Sequence, residues 1–446
     1  MLRFGIMLEE NIISILKEEI VPAEGCTEPV AIAYVAAKAV EVLGKTPDKL
    51  KIYVSGNMIK NVKSVIIPNS GGMVGIEAAA VMGALFGDPS KDLLVINHIT
   101  DENMSVVKSF LLNNSVETIH EKNNIKLYIK IDAFYKNESA TVEVKHLHTN
   151  ITKIEKNNQR IVKRACNDSD FNSPLTDREK LSIRKIYDLA KSIDINDIKP
   201  IFDKVIEFNC KIANEGLNEV YGVNIGSLIQ KNIATGVYGD ELKNKCASFA
   251  SAGSDARMSG CSLPVMTTSG SGNQGMAASL PVIKYCKEKN LTEEQLLRAL
   301  FFSHLSTIHI KTKVGRLSAY CGVICACSAV AGAIAFMEDS EYEVVADAIT
   351  NSLGCISGVI CDGAKASCAM KIANGVYAAF DAAMLAMNKK ALISGDGIIG
   401  YDVEETINNI GILSQVGMKE TDEVILDIMG NCYKDNSDNR QSKTKK

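Results

Sequence analysis

From Pro174 to about residue 418, apolar residues recur at three- and four-residue intervals in one segment after another. This single period limits the fold more than any motif does. Segments 177–193, 198–215, 223–234, 240–252, 274–287, 292–305, 317–338, 342–354, 367–387 and 403–418 carry it, joined mainly by short loops. About ten helices in series predict an all-α domain. Upstream the period shortens. Segments 51–54, 93–97, 126–133 and 140–146 alternate or run apolar in short blocks, with Ala-rich helical spacing at 74–85 and a further helix near 102–112. Residues 157–174 read as polar and irregular and separate the two regimes.

The expected architecture is therefore α+β, a smaller α/β domain at 49–170 followed by a large all-α domain at 171–430. A chain of 446 residues is too long for one core, so the division is expected on size as well. Residues 1–48 supply two helices ahead of both, at 11–20 and 27–43, expected to pack on the helical domain. Residues 431–446 are polar with no apolar anchor and read as a flexible tail.

Charged residues make up 23% of the chain and hydrophobic residues 46%, the balance of a globular protein. The net charge of only −4 offers no field to nucleic acid or anionic lipid. The longest apolar run, 323–336, is too short for a bilayer and is built of Ala, Gly, Ser and Cys, so it reads as a closely packed buried helix. Residues 1–20 are amphipathic rather than leader-like. The 13 cysteines are accordingly expected to be reduced in a cytoplasmic protein. The expected partner is a small molecule, and a homo-oligomer is compatible with the composition.

Cys321, Cys361 and Cys368 fall at spacings of 40 and then 7 residues, beside Gly, Ser or a helix edge. By themselves such thiols are packed hydrophobes, zinc ligands or iron ligands. Zinc would call for a fourth Cys or His in a close motif. Three thiolates with an open fourth position suit a cubane whose unligated iron binds a substrate. Cys325, Cys327 and Cys355 lie nearby and compete for the role, and Cys261 adds a further thiol.

Cys26 lies just ahead of a helix start, with Thr27 able to cap and Pro29 in the first turn. The helix dipole favours its thiolate, whereas Glu24 and Glu28 oppose it. Ser269, Gly270, Ser271, Gly272, Asn273, Gln274 and Gly275 form a loop of small residues entering a helix. It is either a turn or an anion cradle for a carboxylate, and it lacks the Gly-Lys-Ser/Thr of a nucleotide loop. Ser55, Asn57 and Asn61 are strand-end polar groups that could close a pocket from the other side. His304, His309 and Lys311 precede the first thiol as candidate supporting residues, and Arg257 and Lys313 could steady a carboxylate or a cluster. No phosphate cup accompanies Lys365, which argues against a pyridoxal phosphate lysine.

Several long motifs carry a family likeness. Pro22-Ala23-Glu24-Gly25-Cys26-Thr27-Glu28-Pro29, Ser55-Gly56-Asn57, Pro68-Asn69-Ser70-Gly71-Gly72, the 269–275 loop, Leu317-Ser318-Ala319-Tyr320-Cys321-Gly322 and Cys361-Asp362-Gly363-Ala364-Lys365 together resemble the L-cysteine desulfidase family. That family is related to the α-chain of iron-sulfur L-serine dehydratases, and the likeness runs from about residue 10 to 420. The resemblance implies that Cys321, Cys361 and Cys368 hold a 4Fe-4S cluster. It also implies that Cys26 is the base at the substrate α-carbon, and that no pyridoxal phosphate takes part. The implied reaction is the α,β-elimination of sulfide from L-cysteine, giving pyruvate and ammonia. L-serine dehydration by the same route is the close alternative, and a cluster-bearing sensor without turnover the distant one. Thiolate is the softer donor to iron, which favours cysteine.

Overall fold

The computed structural model describes residues 2–166 and 176–429, with side chains from residue 10 onward. The expected division at 170/171 and the expected tail at 431–446 lie outside those residues.

The chain opens with α1 (Leu2–Glu19), a three-residue strand β1 (Pro22–Glu24) and α2 (Thr27–Leu43). There follow β2 (Lys49–Val54), α3 (Gly56–Val62), α4 (Ile76–Phe86) and α5 (Asn103–Asn113). Five strands complete the unit: β3 (Ser115–His120), β4 (Tyr128–Tyr135), β5 (Glu138–Lys145), β6 (Ile151–Lys156) and β7 (Gln159–Lys163). They build one mixed sheet in the order β3-β2-β4-β5-β6-β7. Only β2 and β3 run parallel, which requires the long helical crossover of α3, α4 and α5 between them. The alternation of Leu50, Ile52 and Val54 fixes which face is buried, and Ile52 lies opposite Ile131, itself opposite Val142. That face is covered by α2 and α4, which meet so closely that a Cβ on Gly83 would stand 2.0 Å from the Ala33 carbonyl oxygen.

The remainder is helical: α6 (Ile183–Ser192), α7 (Ile195–Asn218), α8 (Ile225–Ala234) and α9 (Leu242–Met258), then the short strand β8 (Pro264–Met266) and α10 (Gly272–Glu288). After these come α11 (Glu293–Val314), α12 (Gly322–Met337), α13 (Tyr342–Ile356), α14 (Ser367–Met387), α15 (Val403–Ile412), a π-helical turn (Leu413–Gly417) and α16 (419–429). One core joins α7 and α9 through α14. Residues 323–335 of α12 are buried on every side, as their uniformly small apolar composition requires. No described helix is long and apolar enough to cross a membrane.

The α+β architecture agrees with the sequence, with instructive differences. Only α1 packs on the helical part, through Ile12, Ile15, Leu16 and Ile20. The second N-terminal helix, α2, instead belongs to the sheet's core, because its apolar surface nearly encircles it and the sheet face needs a cover. Segment 93–97 is not a strand. It continues a 3₁₀ turn (Pro89–Leu94) whose Leu93, Val95 and Ile96 are buried against the same core, and a short buried apolar run looks alike in either state. Within 157–174, residues 159–163 are an edge strand, entered by a turn with Asn157 and Asn158 at φ 51° and 64°. Edge strands such as β3 and β7 are largely exposed, so they carry no alternating apolar signature.

Candidate active site

A short two-strand ladder joins the two halves of the molecule beside the site. Strand β1 pairs antiparallel with β8, Pro22 opposite Met266 and Glu24 opposite Pro264. This ladder sets Cys26, immediately before α2, beside the small-residue loop immediately before α10. Gly25 makes the approach possible. Its φ is +56°, and a Cβ there would overlap Pro68 at 2.1 Å. Cys26 is 1% exposed, and its thiol donates to Glu28 Oε2 at 3.0 Å. Asn61 Nδ2 donates to the other oxygen of Glu28 at 2.9 Å. Burial pushes the Cys26 thiol well above its ordinary range, the Glu28 charge adds to this, and the nearby Arg257 guanidinium opposes it. The helix dipole does not win at this position: Cys26 is a thiol with a carboxylate acceptor.

The three remaining thiols are brought together by a second ladder. Tyr320 and Ile360 form an isolated bridge, with Cys321 N–H donating to Val359 at 3.1 Å and Cys361 N–H to Ala319 at 2.6 Å. Cys321 caps α12, and Cys368 sits in the first turn of α14. The loop between them turns at Gly363, where φ is +99° and a Cβ would lie 2.4 Å from the Lys60 carbonyl oxygen. Burial raises the Cys321 thiol first, and the charges of Cys361 and Cys368 raise it further. Burial pulls the Lys311 ammonium below its usual range, opposed by the charges of Cys325, Cys361 and Cys321.

A 4Fe-4S cluster fits this donor set. Three thiols facing one cleft repel one another as thiolates and so call for a cation among them. Among the described residues, no three His, Cys, Asp or Glu side chains converge as ligands of a single metal ion do. Cys321, Cys361 and Cys368, all lining the same cleft, would be the residues to hold such a cluster and supply it with thiolate ligands.

The cleft holds about 700 Å³ of empty space, part of it open to solvent. Its far wall is the loop ahead of α10, with Ser269 at φ 51° and Gly270 at φ 79°, and Ser271 capping the helix through the Gln274 amide at 3.5 Å. Arg316 and His148 press against Gly270, and Arg316 also binds the buried Glu19 at 2.5 Å. Burial pushes the His148 imidazole down to about 4, so it is neutral. Seven buried polar atoms of residues lining the cleft have no partner: Asn57 Oδ1, Asn61 Oδ1, His148 Nε2, Arg257 Nε, Ser269 Oγ, Gln274 Oε1 and Arg316 Nε. Buried polar groups are rarely left so, and this concentration marks where a polar ligand belongs.

Of the residues singled out in the sequence, Cys26, Asn57, Asn61, Ser269, Gly270, Ser271, Asn273, Gln274, Cys321, Cys361 and Cys368 all line this cleft. Two do not. Ser55 donates to the Lys126 carbonyl at 2.6 Å and lines a separate cavity, because it stands at the entry of α3, two residues before the cleft-lining Asn57. Gly272 is packed beneath the loop, where a Cβ would meet Arg257 Nε at 2.5 Å. His304 lies behind the loop, bonded to Thr268 Oγ1 at 2.8 Å, and His309 pairs with Glu404 at 2.7 Å away from the cleft. Cys261, Cys325, Cys327 and Cys355 do not line it either. Lys60, His148 and Arg316 were not legible in the sequence. No spacing relates them to the thiols, and only Lys60, a cation amid buried neighbours, gives a local hint.

The family match makes this a serine dehydratase-like protein of the lyase class. The chain belongs to the serine dehydratase alpha chain family, whose model matches residues 92–427. It is also similar to the UPF0597 protein of Fusobacterium nucleatum, 61% identical over 94% of this chain and 98% of the relative. UPF0597 proteins of Desulfitobacterium hafniense and Lachnoclostridium phytofermentans are 46% and 43% identical. Each alignment covers 95% of this chain, with 97% and 100% of the respective relative.

Proposed function

We propose that the protein is an L-cysteine desulfidase, converting L-cysteine and water to hydrogen sulfide, ammonia and pyruvate. The observation that carries this reading is the shared cleft of Cys321, Cys361 and Cys368 with the Cys26–Glu28 pair and the unpaired polar atoms opposite. A 4Fe-4S cluster held by the three thiols would supply an open iron as Lewis acid, making sulfide a good leaving group.

The chain's own residues do the rest. Ser269 Oγ, Arg316 Nε and the amides at the start of α10 receive the substrate carboxylate. The free amide oxygens of Asn57 and Asn61 accept from the α-ammonium. Cys26 passes its proton to Glu28, and the resulting thiolate takes the α-proton. The electrons left on the α-carbon form the Cα–Cβ double bond as the Cβ–S bond breaks, and sulfide departs. Aminoacrylate then tautomerises and is hydrolysed to pyruvate and ammonia. Positioning of this kind contributes ~10²- to 10⁴-fold from the base alone.

The family description favours L-serine as a second substrate, with hydroxide as the leaving group. Anaerobically reconstituted protein given each amino acid, with pyruvate and sulfide assayed, decides between them. Pyruvate from serine alone overturns the cysteine reading, and no product from either overturns both. Cys26→Ser should lose turnover and keep the cluster absorbance. Serine at 321, 361 or 368 should remove that absorbance, whereas serine at 325 or 327 should not.

A further inference from the structure

The wall of the cleft between Cys26 and the thiol loop is α3, and its most buried charge has no part in the chemistry above. Lys60 is 1% exposed. Its ammonium donates to the carbonyl of Cys361 at 3.1 Å and to Asp422 Oδ1 at 2.6 Å. Asp422, on α16, is buried as well, and its other oxygen takes Lys126 Nζ at 3.2 Å. One ionic cluster thus joins α3, the segment leading into β4, the thiol loop and a helix more than 50 residues further along. The contact is wider than the charges. Leu426 of α16 packs where a Cβ on Gly56 would fall, at 2.6 Å, and Ile425 is buried. Gly363 of the thiol loop rests on the Lys60 backbone, where a Cβ would lie 2.4 Å from the Lys60 carbonyl oxygen.

We propose that Lys60 and Asp422 are positioning residues and that α16 is a strut. Through Asp422 it fixes the Lys60 ammonium, which holds the Cys361 carbonyl, and so sets the thiol loop at its distance from Asn57, Asn61 and Cys26. A buried ammonium with two acceptors has one geometry, and removing its counter-charge leaves a cation that must find water. In that event Lys60 swings outward and the Cys361 carbonyl loses its donor. The consequence for the cluster rests on the reading of Cys361 as a ligand, whereas the strut itself does not.

Hydrogen exchange on the full chain without cofactor tests the strut. In the wild type, amides of 359–364 and of α16 should open together at one rate, and protection of 359–364 that outlasts α16 overturns the proposal. In Asp422→Asn, exchange at 359–364 should quicken by about tenfold, the scale of losing a charged hydrogen bond, while α9 and α12 stay unchanged. Unchanged exchange at 359–364, or a uniform rise across the molecule, refutes it, and Asp422→Glu should restore protection. In reconstituted protein, Asp422→Asn should release iron to a chelator about tenfold faster, with the same initial absorbance. A wild type that forms no cluster would sink the proposed function and leave the exchange result standing.

Discussion

Replacing Glu28 by Gln separates two roles that the carboxylate plays toward Cys26. The thiol donates to Glu28 Oε2 over 3.0 Å, and Asn61 holds the opposite oxygen. Two unit charges at that separation repel by about 5 kcal/mol at an effective dielectric near 20. A thiolate beside an ionised Glu28 is therefore disfavoured, and the pair carries one negative charge. Proton transfer from sulfur to carboxylate gives the thiolate without accumulating a second charge. In Glu28→Gln that acceptor is gone, so kcat for sulfide release near neutral pH should fall by ~10²- to 10⁴-fold while KM changes little. The opposing charge is gone too, so the Cys26 pKa falls and kcat should climb with pH. Iodoacetamide labelling of Cys26 in cofactor-free protein, followed by mass spectrometry, should show the same trend, with alkylation starting at lower pH than in the wild type. A variant that keeps half or more of the wild-type kcat between pH 6 and 9, or one whose Cys26 labels at higher pH, would refute the relay.

Three further outcomes follow from geometry elsewhere. Glu24 is 1% exposed, with Asn69 donating to one oxygen at 2.7 Å, and burial pushes its carboxyl up to about 7. A raised folded-state value means that the stability it contributes is complete below its unfolded value of 4.5 and is lost as pH rises through 7. The loss is on the order of 3 kcal/mol. Urea midpoints at pH 5 and pH 8 should thus move closer together in Glu24→Gln than in the wild type. His148→Gln removes a neutral imidazole whose Nε2 faces the cleft unpaired, and should raise KM for L-cysteine about tenfold with little change in kcat. Its kcat/KM profile should show no lost titration between pH 5 and 8, since the native ring is already neutral there. Gly83→Ala drives a methyl to within 2.0 Å of the Ala33 carbonyl, and separation of α2 from α4 should cost about 1–3 kcal/mol in a denaturation assay.

Long elements declared themselves locally. Residues 367–387 match α14 to the residue, and the helix expected from near 27 to about 43 is α2, because uninterrupted helical spacing with a clear start fixes a helix wherever it packs. The motifs were as legible: eleven residues from short signatures of Cys, Ser, Gly, Asn and Gln meet in one cleft. What failed to show had weak local signals. Exposed edge strands β3 and β7 lack an apolar face, and the short pair β1–β8 has three residues on each side.

The sequence by itself determined the α+β composition, the helix-rich second half and the set of thiols, since period, capping and residue chemistry act over a few neighbours. Only the tertiary structure decided that α2 covers the sheet, that the Cys26 thiol donates to Glu28, and that Lys60, His148 and Arg316 enter the site. Each of these depends on contacts between residues far apart in the chain or on burial, which strengthens charges and leaves polar atoms waiting for a partner. Local spacing carries no trace of either.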